Sequence, residues 1–188
     1  LKKNLLGLTQ DELEAFFLDL GYKKFRAKQL LQWMHQKYVV DFDLMSDLSM
    51  TLRNDLKSIA SIGLPEIISE TLSNDGTVKW LFNSGVGQAI ETVFIPEADR
   101  GTLCISSQVG CALDCSFCAT GFQGFNRNLT SSEIIAQVCF ANSLLPKRKN
   151  GLSAITNVVF MGMGEPLANY KNVLKALRIL LSDNAYGL

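Results

Sequence analysis

The sequence carries no net charge and has no long run of apolar residues. Eighteen Lys and Arg residues balance eighteen Asp and Glu residues among 188. The chain is therefore not a generally basic nucleic-acid binder, and any such contact must come from a local patch. No apolar stretch reaches membrane length, and no charged-then-apolar leader is present. Because 47% hydrophobic and 19% charged residues make an ordinary globular composition, we expect a globular protein. Without a leader or a membrane-length run, we expect it to be cytoplasmic and to make no membrane contact.

Histidine is almost absent, and the cysteines are few and unevenly spread. His35 is the only histidine, and on an amphipathic helix it is better explained as a surface or packing residue than as a ligand. Cys139 falls on the apolar stripe of another predicted helix, so we expect it to pack in the core. Three of the five cysteines lie within eight residues, which is not typical of a disulfide framework and indicates a reducing compartment.

The clustered cysteines lie in residues 111–118, which we call the cysteine loop and around which we expect the chain to be organised. Cys111, Cys115 and Cys118 are spaced C-x3-C-x2-C, with Phe117 just before the last. Three thiolates on so short a loop are expected to converge on a metal or an iron–sulfur cluster. A structural zinc site normally needs four protein ligands, whereas three cysteines on a [4Fe-4S] cluster leave one iron free. The residues alone leave a zinc knuckle and plain reduced cysteines open.

The first third of the chain has the periodicity of a small helical bundle. Helices are predicted over about 9–20, 26–38 and 49–59, the first opened by a capping box at Thr9. The bundle also carries a patch of basic residues, for which two explanations stay open. The patch is either an ordinary solvated helix face or a phosphate-binding surface, and the second would give an RNA affinity that depends on salt. We predict a helical domain over residues 1–64. Its basic patch consists of Lys23, Lys24, Arg26 and Lys28, extended by Arg53 and Lys57.

After Pro65 the apolar residues recur at every second position, which is the period of a β-strand. Strands predicted over 67–72 and 77–82 flank an Asn-Asp-Gly hairpin signal, and a third strand is predicted over 89–95. Glu91 of the third strand shares a face with apolar residues, which the wet edge of a sheet would explain. We predict a β-hairpin extension over residues 65–96 and a further domain over 97–188.

The second half of the chain alternates strands with helices. Strands are predicted at about 102–107 and 155–161, the second covered on both faces, with helices opening at Thr130 and near Tyr170. This βαβα order predicts a parallel α/β arrangement. In the last helix the residues expected to face inward are Val173, Leu174, Leu177 and Leu181.

Two unusual loops follow the ends of these strands. Because ligands bind at the carboxyl ends of parallel strands, the cysteine loop and Gly162–Pro166 should face each other across one site. Gly162 and Gly164 allow the backbone to approach a ligand closely. Glu165 can accept a hydrogen bond from an ammonium or hydroxyl group.

Several stretches resemble one enzyme family. They are residues 91–96, residues 100–111, the cysteine loop, residues 124–129 and residues 157–166. Together they are similar to the dual-specificity adenosine carbon-2 methyltransferases of bacterial 23S ribosomal RNA and transfer RNA. These belong to the radical S-adenosylmethionine (SAM) enzymes. The helical front end resembles that family's RNA-contacting domain, though less distinctively.

The resemblance implies a partial radical SAM (βα)n barrel and a reaction that uses two SAM molecules. One SAM would methylate a cysteine, and the other would give a radical at a [4Fe-4S] cluster, which suits a ring carbon that resists ordinary methyl transfer. The implied partners are 23S rRNA, tRNA and a reducing electron donor. By position, the cluster ligands would be Cys111, Cys115 and Cys118, the SAM contacts Gly164 and Glu165, the proton acceptor Glu91, and the adduct-resolving, disulfide-forming cysteine Cys104.

One departure from the family pattern concerns length. The sequence holds only two βα units, begins with Leu, and has no cysteine matching the methyl-carrying one, which would lie beyond Leu188. We expect a fragment that is inactive alone and whose open sheet edge promotes association. The alternatives are a carbon-8 methyltransferase of the same family, a zinc-dependent RNA-binding module with Cys104 as fourth ligand, and an interaction domain with reduced cysteines.

Overall fold

The structure, a computed structural model, describes residues 2–113, 115–148 and 151–188. Two short parallel strands tie the beginning of the helical front end to its end. The elements of this unit are β1 (Lys3–Asn4), α1 (Gln10–Asp19), α2 (Phe25–Leu31), a π-helical turn (Gln32–Gln36), a 3-10 turn (Phe42–Leu44), α3 (Met50–Ile59) and β2 (Ala60–Ser61).

Local hydrogen bonds explain where these helices begin. Thr9 and Glu12 form the predicted capping box, with each side chain accepting from the other's backbone N–H, and Ser49 caps α3. The second helix differs from the prediction, because α-helical bonding ends at Leu31 and a π-helical turn follows, before Tyr38 adopts a φ of 56°. A wider turn rotates the residues that follow it, which a period of 3.6 does not anticipate.

The remaining strands are β3 (Ile67–Leu72), β4 (Val78–Gly85), β5 (Gln88–Pro96), β6 (Gly101–Cys104), β7 (Gln108–Gly110), β8 (Phe125–Asn128) and β9 (Asn157–Val159). Five of them form a sheet in the order β3-β4-β5-β6-β9, while β7 pairs with β8. The antiparallel β3-β4-β5 meander and the parallel β6–β9 pair confirm the predicted hairpin and α/β order. The β5–β6 pairing makes the sheet continuous where the sequence predicts a domain boundary, so that division stays a prediction.

Among the described residues, the second half also contains α4 (Ala119–Phe122), α5 (Ser131–Leu144), a 3-10 turn (Pro166–Asn169) and α6 (Tyr170–Leu180). The capping box predicted at Thr130 opens α5. Phe140 of α5 packs edge-on against Phe82 and Trp80 of β4, with ring centroids 4.9 and 6.1 Å away. This face of the sheet is the buried core. The opposite face, which carries Cys104, is only half-buried.

The orientation of α6 and the cover of β9 differ from the predictions. Leu177 and Leu181 are exposed, and Leu174 is half-buried. Apolar residues occupy more than one stripe of α6, so periodicity does not decide which stripe faces inward. All three residues of β9 are half-buried, so this strand is not covered on both faces. The buried side chains of α6 are Val173, Ala176, Ile179 and Leu180.

His35 and Cys139 are packing residues, as predicted, at the junction of the helical front end with α5. His35 Nδ1 lies 3.2 Å from Tyr186 Oη, and both His35 and Cys139 are fully buried. Burial lowers the pKa of His35 to about 3 and raises the pKa of Cys139 to about 12. Both side chains are therefore uncharged at neutral pH. In the described ranges no helix has the length and apolar character needed to cross a membrane.

Candidate cofactor site

The loop that follows β9 lies against the segment that leads from β6 into the cysteine loop. Met163 O accepts hydrogen bonds from Ser107 N at 2.8 Å and Gln108 N at 3.2 Å. Met163 N donates to Ser106 Oγ at 3.0 Å. The two unusual loops of the sequence are therefore adjacent, at the carboxyl ends of neighbouring parallel strands.

One buried side chain bonds to both loops. Gln108 Oε1 accepts from Ala112 N at 3.2 Å and from Glu165 N at 3.0 Å. Its Nε2 donates to Asn128 Oδ1 at 2.8 Å. Ala112 directly follows Cys111, so this amide joins the start of the cysteine loop to the residue expected to contact SAM.

Two glycines permit this close packing. Gly164 has a φ of +94°, which favours glycine, and a Cβ added there would overlap the Gln108 side chain. A Cβ on Gly162 would come within 2.8 Å of the Ile105 backbone. The next side chain, Glu165, is oriented by a hydrogen bond of 3.1 Å to its Oε1 from a backbone N–H two residues on.

The cysteine loop is open and bonded mainly to itself. Cys111, Cys115 and Cys118 are half-buried, while Phe117 is 89% exposed. Cys118 N donates to Cys115 O at 3.0 Å. Hydrogen bonds from backbone N–H groups of α4, that of Gly121 first, lower the pKa of the Cys118 thiol. The Cys118 thiol therefore loses its proton more easily than an ordinary cysteine does.

The residues that could hold an iron–sulfur cluster are the three cysteines of the cysteine loop. Within the described ranges, no three His, Cys, Asp or Glu side chains lie close enough together to hold one metal ion. Each cysteine on a [4Fe-4S] cluster binds a different iron, so cluster ligands stand farther apart than the ligands of one zinc ion. Cys104 lies in β6, paired on both sides, and not on the cysteine loop. The four-ligand zinc site is therefore not favoured.

Glu91 and Cys104 lie on the same half-open face of the sheet. Cys104 pairs with Val93, and Glu91 stands two residues before Val93 on β5, so their side chains share a face. Glu91 Oε1 is 3.1 Å from Lys79 Nζ. Burial raises the pKa of the Cys104 thiol, although a hydrogen bond from the Met161 backbone opposes that shift. All five cysteines are free thiols, and the disulfide expected for Cys104 stays a prediction.

Sequence reasoning missed three buried amides that hold this frame together: Gln108, Gln137 and Asn169. Gln137 accepts from Ser106 N and donates to Ser106 O, at 2.8 and 2.9 Å. Asn169 donates to Ser107 O and to a second carbonyl, each at 2.8 Å. The only signal in the sequence is a polar residue within an apolar stretch. Their partners are as far as 62 residues away along the chain, beyond the reach of local patterns.

The basic patch is partly neutralised by the protein itself. Lys57 Nζ lies 2.8 Å from Asp43 Oδ1, and Arg53 donates to the Asp43 carbonyl at 2.7 Å. The predicted extension of the patch onto α3 is therefore already engaged. The exposed cations of the patch lie around the start of α2: Lys23, Lys28 and Lys24, the last of which lies 4.0 Å from Glu14 Oε2.

Comparison with known proteins gives a consistent picture. Residues 3–62 match the family described as the ribosomal RNA large subunit methyltransferase N-terminal domain. Over all 188 residues the chain is 54% identical to proteins named dual-specificity RNA methyltransferase RlmN from Francisella tularensis subsp. novicida and from Marinobacter nauticus. It covers 50% and 51% of those two proteins, so it spans about half the length of the curated relatives it matches.

A solved structure matches the same chain. It is a radical SAM methyltransferase from Sphaerobacter thermophilus, 41% identical, with a TM-score of 0.88. The match covers 99% of this chain and 54% of that one. The fold is therefore the α/β fold of a radical SAM methyltransferase, present in part, as the sequence predicted.

Proposed function

We propose that this chain, which resembles the dual-specificity RNA methyltransferases over its whole length, is part of a radical SAM enzyme that methylates carbon 2 of adenosine in 23S rRNA and tRNA. The observation that carries the proposal is the hydrogen-bonded junction between the cysteine loop and Gly162–Pro166. This junction joins the start of the cysteine loop to the backbone of Glu165 at strand ends, where α/β folds bind their ligands, and thereby supports a shared ligand site.

In this proposal Cys111, Cys115 and Cys118 hold a [4Fe-4S] cluster. Bound together, the cluster and SAM supply an electron and a carbon-centred radical, which side chains alone do not provide. The chain's own contribution is to present thiolates on an open loop. The backbone N–H groups that lower the pKa of Cys118 support that role.

Gly164 and Glu165 are proposed to contact SAM. The Glu165 carboxylate suits the ammonium group of SAM, because Oε1 is fixed by Leu167 N and its other oxygen is left to accept from the ligand. The close approach of Gly164 to Gln108 holds the backbone at the point where Glu165 leaves it. The ligand contact is thus prepared by the protein's own packing.

Glu91 and Cys104 are proposed to act on the RNA adduct from the half-open face of the sheet. Glu91 would accept a proton, and its position is supported by the Lys79 ion pair. Cys104 would resolve the adduct by forming a disulfide. Because burial raises the pKa of Cys104, it remains a thiol until a base removes its proton, which suits a residue that reacts last.

RNA would be bound by the helical front end, for which we propose the bounds 1–64. Its exposed lysines at the start of α2 suit phosphate contacts. Residues 65–96 would be the β-hairpin extension, and residues 97–188 the first part of the catalytic domain. We further propose a cytoplasmic enzyme that receives its electron from a separate reducing partner.

The test is anaerobic reconstitution with iron and sulfide, followed by metal analysis and absorption spectroscopy. We expect about four irons and four sulfides per chain and a brown chromophore that SAM perturbs. Stoichiometric zinc in a colourless protein would overturn the proposal. Mass spectrometry of nucleosides from RNA treated with the complete enzyme should find 2-methyladenosine, whereas 8-methyladenosine would reassign the target carbon.

A further inference from the structure

We propose that Gln108 is a positioning residue that fixes the cysteine loop against Gly162–Pro166 and thereby sets the affinity for SAM. The identity of the ligand rests on the proposed function. The tie between the loops does not, because it follows from hydrogen bonds within the chain.

The tie depends on one oxygen that serves both loops. Gln108 Oε1 accepts from Ala112 N and from Glu165 N at 3.2 and 3.0 Å. If either loop moves away, one of these bonds is lost. Because Gln108 is fully buried, water cannot easily replace the donor that its oxygen then loses, and a buried polar group that loses a hydrogen bond is destabilising.

The amide is also prevented from turning over. Its Nε2 donates to Asn128 Oδ1 at 2.8 Å on β8, and the backbone N–H of Gln108 donates to Met163 O at 3.2 Å. With the nitrogen end engaged by Asn128, the oxygen end must face the two loops. The surrounding residues therefore hold the Gln108 amide in the orientation that joins the two loops.

Shape reinforces the hydrogen bonds. The aliphatic part of Gln108 fills the space that a Cβ on Gly164 would occupy. The backbone of Gly164 therefore rests directly on Gln108, and Glu165 extends from that contact. A change at Gln108 is transmitted to the proposed ammonium-binding carboxylate through a single residue.

Two substitutions separate hydrogen bonding from volume. Gln108→Met keeps a side chain of similar length but removes the acceptor. Gln108→Glu keeps an acceptor for both loops, because burial favours the neutral carboxyl group, whose O–H can donate to Asn128 Oδ1 as the amide nitrogen does. The matched control is Gln137→Met, which removes an equally buried glutamine that bonds to Ser106 and to neither Ala112 nor Glu165.

Two readouts test the proposal on the same proteins. Hydrogen exchange of the Ala112 and Glu165 amides in the metal-free protein measures the tie, and equilibrium titration of the reconstituted protein measures SAM affinity. We expect Gln108→Met to speed exchange at both amides about tenfold and to weaken SAM binding about tenfold. Gln108→Glu should recover most of both losses.

The outcomes are distinguishable from failure of the proposed function. If the wild-type protein binds no SAM, the proposed function fails, while the exchange measurement still tests the tie. The inference is overturned if Gln108→Met leaves both amides as protected as in the wild type. It is also overturned if Gln137→Met weakens SAM binding as much as Gln108→Met does, because general destabilisation would then explain the effect.

Discussion

The two loops that meet at the candidate site are held in opposite ways. In the Gly162–Pro166 loop, Met163 is buried and bonds through both its N–H and its carbonyl to the segment after β6. In the cysteine loop, the hydrogen bonds described for residue 113 and residues 115–121 go only to residues 111–124, that is, to the loop itself and to α4 and the turn after it. The first loop is anchored to the sheet, and the second is anchored only at its ends.

This difference indicates the order in which the site is completed. A loop bonded to its scaffold is ready before any ligand arrives, which lowers the entropic cost of binding. A loop bonded to itself, with thiols half-exposed, gains its remaining contacts from what those thiols bind. We therefore expect the Gly162–Pro166 loop to be preorganised and the cysteine loop to become ordered with its cluster.

Removal of one thiol from the cysteine loop should have the largest effect, because that loop depends on its cluster for order. We expect Cys115→Ser to abolish stoichiometric iron and sulfide binding after reconstitution, because three thiolates are needed for three irons. The control is Cys139→Ala, which removes a buried packing thiol and should lower stability by about 1 kcal/mol with iron content unchanged. Full iron content in Cys115→Ser would contradict the assignment of this ligand.

A methyl group on the anchored loop should have the next largest effect. Gly164→Ala combines a φ of +94° with overlap of Gln108, whereas Gly21→Ala meets a φ of +77° with nothing within 4 Å. We expect about 1 kcal/mol of destabilisation for Gly21→Ala and about 2 kcal/mol more for Gly164→Ala. Denaturant unfolding measures both. Equal losses would mean that the anchored loop is not tightly packed.

The ion pair between Arg127 and Glu133, which follows the cysteine loop in the chain, should make the stability of the fold depend on pH. Although burial acts to raise the pKa of Glu133, hydrogen bonds led by that from Arg127 lower it below 4.5. The bond from Arg127 on β8 therefore stabilises the fold above about pH 4.5, and this contribution is lost as the pH falls through the folded-state pKa.

A substitution measures this contribution. We expect Glu133→Gln to lose about 1 kcal/mol at neutral pH, because the pair is partly exposed and screened, and to flatten the stability profile in acid. Glu97→Gln, which breaks an exposed pair with Arg100, should change stability by only about 0.3 kcal/mol. An unchanged acid profile for Glu133→Gln would remove Glu133 as an anchor of this loop.

The smallest expected effect concerns thiols outside the cysteine loop. Cys104 is half-buried on the open face, and burial raises its pKa. We expect iodoacetamide to label it slowly near neutral pH and about tenfold faster per pH unit, as its thiolate fraction rises. Cys139, whose pKa is about 12, should stay unlabelled while the protein is folded. Mass spectrometry of labelled peptides measures both rates. If Cys104 is labelled no faster than Cys139 in the folded protein, Cys104 is not on an accessible face.

The parts of the fold that local chemistry determines were predictable from the sequence. The capping boxes at Thr9 and Thr130 and the hairpin at Asn74–Gly76 depend on residues only a few positions apart. The proximity of the two loops was predictable because the carboxyl ends of parallel strands meet at one edge of a sheet.

Other features depend on partners distant in the sequence. Gln108 bonds to residues 20 and 57 positions away, and no local pattern identifies those partners. The rotation of α6 is decided by what packs on it, since Val173 and Leu177 are both apolar but only Val173 is buried. The roles of Glu91 and Cys104 stay predictions, because their positions on the open face are also compatible with purely structural roles.

The most direct measurement is amide hydrogen exchange of the two loops before and after cluster reconstitution under anaerobic conditions. The account predicts that residues 115–121 exchange rapidly in the metal-free protein and become protected with the cluster, while residues 162–165 are protected in both states. Equal and rapid exchange of both loops in the metal-free protein, with protection gained together, would contradict a preorganised SAM loop.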